Sequence, residues 1–239
     1  MLHRTNELYG YKLAAQDGDI GQVTDFYFDD KTWVVRYLVA DTGPWLAGRL
    51  VLLAPHAFGP IDGKGQLLHV NLTRRQVEYS PPIETHQPVS RQYEASYYQY
   101  YGWPAYWDGG ATWGLGGGYP GAMPPADDGS TAPTNRVHRK EKHLQSTRAV
   151  TGYAIQTIDG PIGHVTGLLV DDQSWAVRDL VVETGHWYAG KEVFVAPNKI
   201  EQISYEDSKV VVNLTKGDIE SAAENEVAQA GNGRDLAVD

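Results

Sequence analysis

Residues 10–43 of the chain, GYKLAAQDGDIGQVTDFYFDDKTWVVRYLVADTG, return at residues 152–185 as GYAIQTIDGPIGHVTGLLVDDQSWAVRDLVVETG. Aligned without a gap, residues 10–78 and 152–220 share 29 identical positions in a window of 69. Two copies are too few for a solenoid, which needs at least three stacked repeats. The repetition therefore predicts two domains of one fold, over residues 5–82 and 144–222.

Each copy carries the signals of short β-strands. In the first copy, Asp17 and Gly18 form a hairpin signal, and residues rich in β-branched and aromatic side chains follow it. A later strand ends at Pro55, because proline cannot donate to a ladder, and Thr73 is a predicted N-cap of a short helix. The second copy repeats these signals 142 positions later. The pattern predicts a mainly β protein with two tandem small antiparallel β-barrels, since closure removes exposed strand edges.

Several small, aromatic and basic residues recur in both copies and are predicted to build the fold. They are Gly18, Gly21, Trp33, Arg36, Gly43, Trp45, Gly48 and Pro55, with Gly160, Gly163, Trp175, Arg178, Gly185, Trp187, Gly190 and Pro197. The tryptophans are expected in the core or at the rim, with the indole N–H hydrogen-bonded. The alternative for them is a platform for a ligand. The glycines at positions 48 and 190 are expected to have a backbone conformation that a side chain would obstruct.

The shared letters follow a spaced pattern, with GY before DG-x-IG-x-VT, then DD-x-x-W-x-VR-x-LV, then TG-x-W-x-AG and AP. This pattern resembles the PRC-barrel domain, which is known from the cytoplasmic part of the photosynthetic reaction centre H subunit and from a ribosome maturation factor. Residues 88–107, PVSRQYEASYYQYYGWPAYW, are similar to the segment between the barrels of soluble bacterial members with two such domains. The resemblance implies a fold and a tendency to dock proteins, and it implies no reaction.

Composition excludes several classes of function. Cysteine is absent, which excludes thiolate nucleophiles, Cys-ligated metals and disulfides. The net charge of −10 repels a phosphate backbone, so nucleic acid is not expected as a partner. An RNA-processing or ribosome-associated role through the basic stretch Arg136–Arg148 stays as an alternative. No apolar run has the length of a secretory or membrane-spanning segment, so a cytoplasmic location is expected.

The polar residues of the repeat do not form a catalytic set. None of the eight histidines is shared between the copies, and no nucleophile elbow, phosphate loop or zinc-helix motif is present. The acidic pairs at 29–30 and 171–172 offer too few oxygens for a hard cation and are expected to close turns. The arginines at positions 36 and 178 are expected to pair with these acids or to reach solvent. We therefore expect no enzyme activity, no metal and no cofactor.

The connector, residues 83–143, is the most unusual part of the chain. Between residues 91 and 119 it holds ten Tyr or Trp and seven Gly among 29 residues, which is too aromatic for a solvated linker. Its aromatic part either covers the chain's own barrels or forms a surface for a partner, for self-association or for a stacked ligand. The candidate docking residues are Tyr93, Tyr97, Tyr98, Tyr100, Tyr101, Trp103, Tyr106 and Trp107.

These observations predict a non-enzymatic docking or scaffold protein with an unidentified protein partner. Homo-oligomerisation stays open. A module that binds a small molecule in the groove between the barrels is the main alternative. Residues 223–239 are predicted to be a polar tail.

Overall fold

The computed structural model describes residues 1–81, 91–105, 144–185 and 190–221, and only the backbone of residues 91–93. The chain divides into two compact units. One unit combines Met1–Thr85 with His143–Asp239, and the other is His86–Lys142. Both repeats therefore belong to the same unit.

The two repeats contain the same series of elements. In the first repeat these are β1 (Leu2–Arg4), α1 (Thr5–Leu8), β2 (Lys12–Ala15), β3 (Gly18–Asp29), β4 (Val34–Asp41), β5 (Leu50–Leu53), β6 (Phe58–Asp62), β7 (Leu67–Val70) and α2 (Arg74–Glu78). Helix α3 (Arg91–Tyr101) follows in the second unit. The second repeat has β8 (Leu144–Ser146), α4 (Thr147–Val150), β9 (Ala154–Thr157), β10 (Gly160–Asp171), β11 (Val177–Thr184), β12 (Glu192–Val195), β13 (Ile200–Ser204) and β14 (Lys209–Val212). A last helical stretch covers residues 216–221.

Each repeat contributes six of its own strands to one β-sheet. The strand order is β5-β4-β3-β2-β7-β6 in the first repeat and β12-β11-β10-β9-β14-β13 in the second. The predicted mainly β fold with two tandem β domains is confirmed, and one pair in each repeat differs from the predicted antiparallel pairing, because β2 with β7 and β9 with β14 are parallel. Among the described residues the end strands of each path are not paired with each other. In the first repeat the turn Pro55–Ala57 joins those two ends.

The helix that ends each repeat begins as the sequence predicts. Thr73 forms a capping box with Gln76, in which each side chain bonds to the backbone N–H of the other residue. Thr215 does the same with Asp218, whose backbone N–H donates to the threonine hydroxyl at 3.2 Å. The predicted N-caps are therefore confirmed, and they fix where the chain turns after the last strand.

A close approach of two strands explains one glycine of the repeated motif. A Cβ built on Gly21 would lie 1.9 Å from the carbonyl oxygen of Asp41, and one built on Gly163 would lie 1.9 Å from that of Glu183. The φ angles are +127° and +157°. Since no side chain fits this spacing, β3 and β10 can bend across their neighbours only at glycine.

Most of the other repeated glycines also have positive φ. They are Gly18, Gly43, Gly48, Gly160 and Gly190. At Gly48 and Gly190 the angles are 69° and 64°, which confirms the expectation for these two positions. The prolines that begin the equivalent turns Pro55–Ala57 and Pro197–Lys199 follow β5 and β12.

Candidate docking surfaces

The first strand of each repeat pairs with the long central strand of the other repeat. Strand β1 pairs with β10, with Leu2 opposite Asp171, and β8 pairs with β3, with Leu144 opposite Asp29. On β10, strand β9 covers only Gly160–His164, so the rest of that edge is open to another strand. The repeats have therefore exchanged their first strands, and we call Leu2–Leu8 and Leu144–Val150 the exchanged segments.

The short helix of each exchanged segment also binds the other repeat. The backbone N–H of Phe26 donates to Thr147 Oγ1 at 3.3 Å, and that of Leu168 donates to Thr5 Oγ1 at 3.4 Å. Both hydroxyls are fully buried. Thr5 thus supplies an acceptor to the backbone N–H of Leu168, and Thr147 supplies one to that of Phe26, which also donates to Asp25 Oδ1 at 2.8 Å. The two contacts are equivalent, as expected for an isologous pairing of two like surfaces.

The first acid of each Asp-Asp pair closes its own turn. Asp29 Oδ1 accepts hydrogen bonds from the backbone N–H groups of Lys31 at 2.9 Å and Thr32 at 3.0 Å. Asp171 Oδ1 accepts from that of Ser174 at 2.8 Å. These bonds confirm the prediction that the acids close turns. Among the described residues, no group of three or more His, Asp or Glu side chains is placed to hold a metal ion.

The second acid of each pair binds the exchanged strand. Gln145 Nε2 donates to Asp30 Oδ2 at 2.9 Å, and the equivalent His3 Nε2 lies 3.3 Å from Asp172 Oδ2. The pKa of Asp172 is lowered, chiefly because the amino group of Met1 donates to it and further because of His3. The repeated Asp-Asp signal therefore has two roles, and its second role was not visible in the sequence.

The two repeats also meet directly at the repeated tryptophans. The backbone N–H of Val35 donates to the carbonyl of Trp175 at 2.8 Å, and that of Val177 donates to the carbonyl of Trp33 at 2.8 Å. Both tryptophans have φ of 55°, a left-handed conformation that is unusual for a bulky residue. The bonds flank an isolated antiparallel bridge between Val34 and Ala176. A pseudo-twofold axis thus relates the repeats at this point.

Aromatic rings fill the seam between the repeats. Trp175 is 4% exposed, and its ring lies 5.8 Å from that of Phe26 and 4.5 Å from that of Phe58 in the first repeat. Tyr9 stacks on Phe26 at 6.3 Å, and its hydroxyl lies 2.8 Å from Thr147 Oγ1. Burial raises the pKa of Tyr9. Since Trp175 is packed into this seam, the ring is not available as a platform for a ligand in the groove between the barrels.

Two other repeated residues of the first repeat, Arg36 and Trp45, have local structural contacts. Arg36 Nε lies 4.0 Å from Asp29 Oδ2, whereas the equivalent Arg178 is exposed. The Trp45 indole N–H donates to the carbonyl of Ile20 at 3.0 Å. Both outcomes expected for the arginines, an ion pair and solvent exposure, therefore occur, one in each repeat.

Helix α3 of the second unit holds most of the described docking candidates. Tyr97 is 0% exposed and Tyr98 is 3% exposed, whereas Tyr100 is 41% exposed. Glu94 is buried on the same face, one helical turn before Tyr97 and Tyr98. The helix therefore has a buried stripe, and among its described tyrosines Tyr100 is the one most open to a partner.

Helix α3 ends at Gly102, and the chain then turns so that Trp103 packs back against the helix. Gly102 has φ of 69°, and the backbone N–H of Trp103 donates to the carbonyl of Tyr98 at 3.0 Å. This is the Schellman arrangement, which ends many helices. It places the Trp103 ring 4.6 Å from that of Tyr101, with an interplanar angle of 13°. The Tyr100 ring lies 4.8 Å from that of Tyr101, edge to face. We call Tyr100, Tyr101 and Trp103 the aromatic cluster.

Other predicted positions fall outside what the structure describes. Tyr93 lies on α3, but its side chain is outside the description. Tyr106, Trp107 and Trp187 lie outside the described residues, as do most of the basic stretch Arg136–Arg148 and the whole of the tail 223–239. Within the described ranges, no helix is long and apolar enough to cross a membrane.

Comparison with known proteins identifies a family for the first repeat. The family model described as PRC-barrel domain matches residues 2–76. The matched residues begin at β1 and reach α2, so they include the exchanged strand. No curated protein matches the chain. The second repeat lies outside the matched residues, and its elements follow those of the first repeat in the same order.

Proposed function

We propose that this chain, which contains a PRC-barrel domain at residues 2–76, is a non-enzymatic scaffold protein that docks a protein partner in the cytoplasm. The two interlocked repeats are its rigid platform. The aromatic cluster at the end of α3 is its proposed contact with the partner.

The observation that carries the proposal is the exposed Tyr100 at the edge of the aromatic cluster. Tyr and Trp are enriched at protein interfaces, where a ring gives a large contact area at a low entropic cost. A lone exposed ring would need no explanation. Here, however, Tyr100 is 41% exposed and contacts a stacked Tyr101–Trp103 pair, whose orientation is fixed by the cap at Gly102. Such a pre-organised group is suited to binding.

The exchanged segments support the scaffold part of the proposal. Each repeat supplies a strand and a helical turn to the other, so separating the repeats would expose the edges of β3 and β10. Strand addition of this kind is a common mode of protein recognition. In this chain it is used internally and makes the two repeats one body.

Site-specific photo-cross-linking in the native cell tests the proposal. A benzophenone amino acid is placed at position 100 of the full chain, and in a separate chain at position 79, where Tyr79 is 65% exposed in the first repeat. The proposal predicts a cross-link from position 100 to a defined protein that position 79 does not give. Recombinant partner should then bind the wild-type chain and lose at least tenfold in affinity for Tyr100→Ala, while Tyr79→Ala binds as the wild type does.

Two outcomes would count against the proposal. One is the same cross-linking pattern at positions 100 and 79, which would indicate only non-specific contact. The other is unchanged affinity of the identified protein for a Tyr100→Ala chain that retains its circular dichroism and melting temperature. Tyr97 and Tyr98 are unsuitable for this test because they are buried, so their replacement would disturb the fold.

A further inference from the structure

The two exchanged segments occupy equivalent places but are held by different side chains. The threonine hydroxyl and the second acid of each Asp-Asp pair act at both places. The threonine and the acid are present at both places, so by themselves they do not distinguish one segment from the other. Any selectivity must come from positions at which the two repeats differ, and four such positions, 4/146, 6/148, 25/167 and 50/192, lie on the segments or at the places that bind them.

Asp25 marks the place on β3 that binds the second segment. Its carboxylate accepts hydrogen bonds from Ser146 Oγ at 2.5 Å, from Thr147 Oγ1 at 3.0 Å and from the backbone N–H of Arg148 at 3.0 Å. The first two donors are side chains, and all three come from the start of α4. The first segment has Arg4 and Asn6 where the second has Ser146 and Arg148, so it lacks this serine donor.

Gly167 stands at the equivalent position of β10, and Asn6 fills the space above it. A Cβ built on Gly167 would lie 3.1 Å from Asn6 Oδ1, and Asn6 Nδ2 lies 3.4 Å from the carbonyl oxygen of Thr166. No positive φ is required at Gly167, which is not among the glycines with that conformation. The absent side chain therefore makes room for Asn6, and an aspartate here would compete with it.

Arg4 makes a further contact, with Glu192 of β12, that is available only where the first segment binds. Its guanidinium donates to both oxygens of Glu192, at 2.9 and 2.8 Å, in the two-pronged geometry typical of arginine and carboxylate. The first repeat has Leu50 at the position of Glu192, and the second segment has Ser146 at that of Arg4. Each segment thus lacks the group that the other place requires.

From these contacts we infer that the two places are distinct recognition sites, so that β3 selects the second segment and β10 selects the first. Asp25, Gly167 and the Arg4–Glu192 pair are the residues that determine this selectivity. Each repeat therefore binds the exchanged segment of the opposite repeat, from the same chain or from a second copy, and discriminates against a segment of its own type. The inference concerns the exchanged segments and is independent of the partner proposed for the aromatic cluster.

A test of reversed effects in the full chain distinguishes selectivity from ordinary packing. Gly167→Asp is introduced into the wild type and into an Arg4→Ser/Asn6→Arg background, which gives the first segment the polar residues of the second. In the wild type the substitution should lower the urea midpoint, because the new side chain meets Asn6. In the altered background it should raise the midpoint, because the aspartate can accept from the introduced serine and from the helix N–H groups. A shift of the same sign and size in both backgrounds would overturn the inference.

A second measurement covers the case in which Gly167→Asp does not fold in the wild type. Asp25→Ala and Ser146→Ala are combined, with Ser204→Ala, whose hydroxyl bonds Asp207 in its own hairpin, as the matched control. Ser146 also caps α4 by accepting from the backbone N–H of Ala149 at 2.9 Å, so the inference predicts that Ser146→Ala shifts the midpoint less in the Asp25→Ala background than in the wild type, whereas Ser204→Ala has the same effect in both. If the effects of Asp25→Ala and Ser146→Ala are as additive as those with Ser204→Ala, the assignment of Asp25 is wrong.

Discussion

Replacement of Gly21 by alanine should strongly destabilise the first repeat. The Cβ would lie 1.9 Å from the carbonyl oxygen of Asp41, whereas carbon and oxygen in contact are about 3.3 Å apart. The two strands would have to separate by more than 1 Å, close to the pairing of Gln22 with Asp41. We expect a loss of about 4 kcal/mol or more in the free energy of unfolding, which is a large part of the total of about 5–15 kcal/mol that is typical of a domain.

Gly10→Ala is the matched control. Gly10 also has positive φ, +82°, but a Cβ there meets nothing within 4 Å. The control therefore measures the backbone conformation alone, which costs about 1–2 kcal/mol. Urea denaturation followed by tryptophan fluorescence gives both values. A Gly21→Ala chain whose stability lies within 1 kcal/mol of the Gly10→Ala chain would refute the close approach of β3 and β4.

Three further substitutions test the charges and the seam, each by urea denaturation. Arg4 lowers the pKa of Glu192 below its ordinary 4.5. The carboxylate therefore contributes stability that is present above pH 4.5 and is lost as the pH falls through the lowered pKa. Glu192→Gln should lower the stability of the chain at pH 7 and match the wild type at acid pH. Burial raises the pKa of Asp179 above 3.8, so its charge opposes folding as the pH rises. Asp179→Asn should therefore stabilise the chain at pH 7 but not below pH 3.8. No gain in stability at pH 7 would contradict this. Trp175→Ala should cost about 3–5 kcal/mol, because the ring is buried against the other repeat, and a loss below 1 kcal/mol would indicate that the seam is not packed.

The sequence was sufficient to predict the architecture of each repeat. Hairpin signals, helix caps and strand-ending prolines are local, so Asp17, Thr73 and Pro55 could be interpreted from their neighbours alone. The parallel pair in each repeat was not predictable in this way. It depends on where β7 returns after the β6–β7 hairpin, and no residue of β2 or β7 specifies the direction of its partner.

The exchange of segments could not be predicted from the sequence either. The alignment that revealed the repeat began at residue 10, because residues 2–9 and 144–151 share few letters. The residues that differ there, Arg4 and Asn6 in the first segment and Ser146 and Arg148 in the second, make the contacts that distinguish the two sites. One signal for helix α3 was available, since Tyr97 and Tyr101 are four residues apart and Gly102 follows as a cap. The sequence predicted an aromatic surface here, but only the structure shows that Tyr97 is buried whereas Tyr100 is exposed.

The closure of the two repeats on each other is tested most directly by a disulfide across the pseudo-twofold axis. The chain has no cysteine, so Val34→Cys/Ala176→Cys introduces a single pair. Val34 and Ala176 face each other in a non-hydrogen-bonded antiparallel bridge, where Cα atoms are about 4.5 Å apart, within the range that a disulfide spans. Oxidation of the folded chain should give an intramolecular disulfide in a monomer, whereas Val34→Cys/Ser174→Cys, which is out of register, should not. Cysteines that stay reduced, or that link only different chains, would contradict the closure of the repeats on each other.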